Sequence, residues 1–276
     1  MKFWKMNGAG NDFVILNNLE EHLPQESFSY LAKTLCERHL SVGADGFMVV
    51  DRPTQGGDYR MFFYNADGTL GEMCGNGARC ICRYGYENGL AGETQIIETT
   101  AGIVTGRRID QRNYRIRLND PLDTDLDVKA EIDGRIIPCA YTVVGVPHAV
   151  VPYQGLAQAD EHELRELGRK LRWYKGFPRG ANVNFYEVLG EDHLLERTFE
   201  RGVEDFTYAC GTGTGSVVAI LTLLGQVSGK NVKVDMTGGT LTIDVVREGG
   251  QIRDLFLTGP TNIVCKGEIT DETLKL

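Results

Sequence analysis

Two cysteines stand in the same short setting. Cys74 lies in Met73-Cys74-Gly75-Asn76-Gly77, and Cys210, 136 positions later, lies in Ala209-Cys210-Gly211-Thr212-Gly213. A thiol followed by small residues reads as the position just before the first turn of a helix. Unpaired backbone N–H groups there, with about half a positive charge, lower a thiol's pKa and hold an anion such as a carboxylate. Glycines at 75, 77, 211 and 213 let a ligand come close to the backbone. The chemistry on offer is a basic sulfur beside a carboxylate cradle, made twice. With the two settings face to face, the α-carbon of a bound amino acid would lie between the sulfurs. One thiolate then takes the α-proton and the opposite thiol protonates the other face, which inverts the centre. Donors at the helix N-termini stabilise the carbanion. This scheme needs no cofactor and no metal. A pyridoxal enzyme needs a Schiff-base lysine, and no lysine here stands in a recognisable setting for one.

The elements that position these thiols repeat. Gly43-Ala44-Asp45 before one strand is answered by Gly180-Ala181-Asn182 before another, Asn65 by Glu200, Thr100-Ala101-Gly102 by Thr237-Gly238-Gly239, and Pro121 by Pro260. A nearly constant offset of 135 to 139 residues in the same order marks a duplication. Helices are expected over Ser27–His39, from Cys74 to a stop at Gly89, and over Asp160–Trp173, where Asp160 and Glu163 form a capping pair. The run Val217–Leu224 is apolar all round and so belongs to a helix buried on every side. Short strands dominate the rest. The expected fold is α+β: two pseudo-symmetric domains, each a curved, antiparallel-rich sheet wrapped around a central helix. They are expected over 1–120, joined by the tail 264–276, and over 121–263, with a Pro/Asp-rich linker near Asp120–Asp127.

Composition narrows the partners. The chain of 276 residues carries a formal net charge of −9, which disfavours nucleic acid and anionic membranes. No apolar run approaches the roughly 20 residues of a membrane span, and the first residues lack the layout of a secretion signal. Seven scattered cysteines without a Cys-x-x-Cys pair suit a reducing cytoplasm rather than a disulfide framework or a zinc site. Cys36, Cys80, Cys82, Cys139 and Cys265 read as small buried hydrophobes. The expected partner is a small-molecule amino acid substrate.

At this point a resemblance covers nearly the whole chain. It is carried by Gly8-Ala9-Gly10-Asn11-Asp12-Phe13, Asn65-Ala66-Asp67-Gly68, Met73 to Arg79, Pro147-His148, Asn182-Val183-Asn184-Phe185, Glu200-Arg201-Gly202 and Ala209 to Gly213. The chain resembles the diaminopimelate epimerases, cofactor-independent enzymes with two cysteines. The resemblance implies a homodimer that interconverts LL- and meso-2,6-diaminopimelate on the route to lysine and peptidoglycan, with Cys74 and Cys210 as the acid–base pair. It implies that Gly75, Asn76, Gly211 and Thr212 hold the reacting end, and that Asn11, Asn65, Asn182, Glu200 and Arg201 grip the distal one. It also implies that His148 and Glu200 tune the thiols; Asp67, by its own setting, reads as completing its turn. Two positions depart from the family pattern: Val146 replaces an asparagine before the Pro-His pair, and Gly46 replaces a glutamine. Other readings are a racemase of another amino acid such as histidine, a non-catalytic amino acid binder, or a thiol redox sensor.

Overall fold

The computed structural model describes residues 1–71, 74–270, 272 and 274; Met73 of the first cysteine motif and the end of the expected tail lie outside the described residues. Two compact units emerge: Met1–Ile116 with Gly259–Leu276, and Arg117–Thr258.

The first unit contains, in chain order, β1 (Lys2–Gly8), β2 (Asn11–Asn17), α1 (Asn18–Glu21), α2 (Phe28–Leu35), β3 (Gly46–Asp51), β4 (Tyr59–Asn65), β5 (Leu70–Gly71), α3 (Gly75–Glu87), β6 (Thr94–Thr99), β7 (Gly102–Arg108) and β8 (Asn113–Arg117). The second contains β9 (Leu122–Ile132), β10 (Arg135–Val144), β11 (Val146–Pro152), α4 (Glu161–Arg172), β12 (Asn182–Gly190), β13 (His193–Glu200), β14 (Asp205–Phe206), α5 (Gly211–Leu223), β15 (Val232–Met236), β16 (Gly239–Glu248) and β17 (Gln251–Pro260). The last strand, β18 (Asn262–Glu268), returns to the first unit.

Strand pairing gives the order β18-β1-β2-β3-β4-β6-β7-β8 in the first unit. In the second it is β9-β10-β11-β12-β13-β15-β16-β17. The same two steps are parallel in each: β2–β3 and β4–β6, then β11–β12 and β13–β15. A parallel step needs a crossover. The chain between β4 and β6 runs through α3, and that between β13 and β15 through α5.

Period-2 alternation decides what each strand face covers. Val14, Leu16, Phe47, Val49, Phe62 and Tyr64 pack with Phe28, Leu31 and Leu35 of α2. The opposite face encloses α3, of which every residue from Gly75 to Gly85 is buried. In the second unit, Leu164 and Leu171 of α4 pack with Val151, Val183, Phe185 and Phe199, and α5 is buried throughout its middle. The two enclosed helices occupy equivalent 13-residue spans, each capped by its cysteine.

Three expectations need correction. The stretch from Asp120 is no linker beyond Leu122, because β9 pairs with β10 through eleven residues of strand; its acid-rich start is exposed, which gave it a linker's composition. The helix expected to reach His39 ends at Leu35. There the amides of Gly43 and Ala44 take the carbonyls of Leu35 and Cys36, and Arg38 turns away toward Asp12 and Asp45. Cys36, Cys80, Cys82 and Cys139 are buried, but Cys265 is exposed on β18.

Candidate active site

In the first unit Cys74 caps α3 from extended backbone and is half-buried. Its carbonyl accepts the amide of Ala78 at 2.7 Å, so the thiol leaves the backbone where the helix's amides begin. Asn76, buried in the first turn, donates to the side-chain oxygen of Asn11 at 2.7 Å and accepts from Arg79 at 2.9 Å. Asn11 in turn donates to Asp45 at 3.3 Å. Asp45 belongs to an ion cluster with Arg38, Asp12 and Lys5, in which the bonds from Arg38 and Lys5 hold the Asp12 carboxyl below its ordinary range despite burial. Arg79 is a wholly buried guanidinium on α3 that also donates to the Gly75 carbonyl at 3.3 Å. Cys74, Gly75, Asn76 and Asn11 are thus gathered in one place. Among the described residues the Asn65 amide reaches Thr69, in its own turn, at 2.9 Å. Asp67 completes that turn by accepting from Thr69.

In the second unit Cys210 caps α5 with nearly the same backbone angles as Cys74 and is only 8% exposed. Its thiol is pushed well above the ordinary range by burial and then by the charge of Glu200, which outweigh the Gly213 amide. A helix N-terminus alone predicts the opposite shift; loss of water decides the sign here. Thr212 Oγ1 lies 3.6 Å from Cys210 Sγ and 3.1 Å from His148 Nε2. His148, fully buried on β11, places Nδ1 2.9 Å from the oxygen of Asn184. Burial and the charge of Arg201 lower His148 to about 4 against the bond from Asn184, so the ring is neutral near pH 7. Glu200, the last residue of β13, is raised by burial. Asn182 opens β12 opposite His148 and accepts the amide of Arg201 at 2.7 Å. The Arg201 guanidinium donates to the Arg179 carbonyl at 3.1 Å.

Glycine at the third helix position has a reason other than ligand approach. A Cβ on Gly213 would fall 2.1 Å from Asn184 Nδ2, and one on Gly77 would fall 2.0 Å from Met48 Cε. Both glycines make room for the protein's own side chains. Asn184, Glu196, Thr198 and Arg79 carry much of the polar wiring, yet their site role was not read from the sequence. Strand parity held a signal for two of them: Leu194, Glu196 and Thr198 alternate on β13, and all three face inward.

Comparison with known proteins fits this doubled arrangement. The diaminopimelate epimerase family profile matches residues 3–116 and 140–264. The diaminopimelate epimerase of Aquifex aeolicus is 36% identical over the whole of both chains. This chain belongs to the diaminopimelate epimerase family. The family's enzyme from Archaeoglobus fulgidus is also 36% identical, across 96% of this chain and 95% of its own. Membership makes the chain an isomerase of epimerase type. Solved structures share the fold at much lower identity. A hydroxyproline epimerase from Agrobacterium vitis has a TM-score of 0.70 at 16% identity, covering 97% of this chain and 91% of that one. A methylitaconate-delta-isomerase has 0.67 at 10%, covering 97% and 94%. Among the described residues no helix is long and apolar enough to cross a membrane.

Proposed function

We propose that the chain interconverts LL- and meso-2,6-diaminopimelate without a cofactor, with Cys74 and Cys210 as the acid–base pair and each unit serving as one epimerase domain. The observation that carries this reading is the repeated setting: two enclosed helices of equal span, each capped by a thiol in the same extended backbone conformation. A thiolate removes the α-proton, the other thiol returns a proton to the opposite face, and the centre inverts. The N-terminal amides of α3 and α5, with Gly75, Asn76, Gly211 and Thr212, stabilise charge growing on the α-carboxylate. Asn11, Asn65, Asn182, Glu200 and Arg201 select the distal end, where an ammonium calls for an acid and a carboxylate for an arginine. His148 and Glu200 tune the thiols. The protein works on a free amino acid in the cytoplasm as a homodimer.

The test is α-proton exchange in heavy water with LL- and meso-diaminopimelate, lanthionine, lysine and histidine. Exchange and inversion are expected with the first two. Cys74→Ala and Cys210→Ala should each lower inversion about 10²- to 10⁴-fold, the usual weight of a positioned acid or base. Near-normal inversion by either variant would sink the two-thiol scheme, and exchange confined to histidine would move the substrate.

A further inference from the structure

Glu196 on β13 is a wholly buried carboxyl near the Thr214 hydroxyl, and no donor among the described residues meets its Oε2 at hydrogen-bonding geometry. Its Oε1 accepts from Asn184 Nδ2 at 2.9 Å and from the Thr198 hydroxyl at 3.2 Å. Thr198 also lies 2.8 Å from Asn184 Nδ2 and, its hydrogen spent on Glu196, accepts there. Both hydrogens of the Asn184 amide are thereby drawn away from His148. Its oxygen is what faces the imidazole, and an amide oxygen only accepts. A neutral histidine has one N–H, so at 2.9 Å from that oxygen the hydrogen is on Nδ1. Nε2 is then a bare lone pair, and the Thr212 hydroxyl 3.1 Å away donates to it. Having given its single hydrogen, Thr212 offers Cys210 Sγ only lone pairs. Each link is settled by the one behind it.

We infer that Glu196 is a positioning residue for Cys210: by holding Asn184 one way round, it locks His148 as the Nδ1–H tautomer and sets Thr212 to accept from the thiol, so that Cys210 waits with its proton on. A proton taken up by Glu196 itself goes to Oε2 and leaves Oε1 accepting, so the direction of the chain survives it. The link to turnover rests on the reading of Cys210 as an acid–base residue, whereas the tautomer belongs to the folded unit whatever its activity.

Nitrogen-15 NMR of the full chain labelled at histidine reads the tautomer directly, with His148 assigned by loss of its signals in His148→Asn. At about pH 8, above the ordinary histidine range, Nδ1 should carry the hydrogen and Nε2 should not. Glu196→Gln should keep this pattern, since its amide oxygen can take the place of Oε1. Glu196→Leu should give a mixture of tautomers, with kcat/KM about tenfold lower, the effect of one pKa unit, its pH profile displaced, and both recovered in the glutamine variant. A wild-type Nε2–H tautomer overturns the inference, even should the leucine variant fail to fold. So does a folded leucine variant whose tautomer is unchanged. An inactive wild-type chain showing Nδ1–H would support the lock while breaking the functional reading.

Discussion

The two units use one backbone plan for different electrostatics. Met48, Met61 and Phe63 line the face beneath α3, while Asn184, Glu196 and Thr198 hold the corresponding places beneath α5; Met48 pairs with Phe63 just as Asn184 pairs with Thr198. A thioether lies under the first cysteine-capped helix and a hydrogen-bonded carboxyl under the second. Near the first cysteine the polarity sits on the helix instead, where Arg79 feeds a chain through Asn76 and Asn11 to Asp45. That chain starts on a guanidinium, which can only donate. Its counterpart starts on a thiol, which can gain or lose a proton. Duplication supplied the scaffold, and divergence of a few inward side chains made its halves chemically unlike.

Exchanging the halves' side chains tests this difference most severely. Asn184→Met should cut His148 off from Glu196 and lower kcat/KM about 10²-fold, at the low end for acid–base assistance. Met48→Asn should instead leave turnover per folded molecule within a few-fold while lowering stability by about 2 kcal/mol, the cost of an unpartnered buried amide. Chemical denaturation and steady-state kinetics separate the two effects; equal losses of activity would erase the proposed contrast.

The glycines sharpen it further. Gly213→Ala pushes against an amide pinned by bonds to Glu196, Thr198 and His148, whereas Gly77→Ala meets the mobile end of Met48. Denaturation midpoints should place the first loss near 3 kcal/mol and the second near 1, the ends of the usual range for overpacking. The reverse order would show that Asn184 is not held as described.

The smallest effect concerns pH. Folded His148, lowered from 6.5 to about 4, refuses a proton that the unfolded chain binds, so its contribution makes stability rise with pH across that window. Folded Glu196, raised from 4.5 to about 7, keeps a proton that the unfolded chain sheds, so its contribution makes stability fall with pH there. The two oppose each other where they overlap. Glu196→Gln should therefore expose a stability that climbs with pH through the histidine window, and His148→Asn one that declines through the carboxyl window. Identical pH profiles for the two variants would refute these assignments.

Much of this was legible in the sequence. The duplication showed because the residues around each cysteine must repeat for the backbone to repeat. The enclosure of α5 showed because its faces are all apolar. That of α3 was less visible, since Arg79 and Arg83 are buried in it and Arg83 reaches the Thr261 carbonyl. β9 was hidden by its exposed aspartates. Glu196 was missed because a glutamate between leucine and arginine reads as solvent-facing until the partner of each strand face is known. The raised pKa of Cys210 was beyond a sequence reading, because it depends on how completely folding strips away water.

The tail strand sets the order in which the molecule can be finished. Met1 and Ile269 exchange backbone hydrogen bonds across 268 positions of sequence, and β18 covers the edge of β1. On the ribosome the stretch 117–258 is continuous and can close as soon as it emerges. β1 must wait for β18, holding an edge unpaired while all the residues between them are made, and a chain stopped before residue 262 would keep that sticky edge for good.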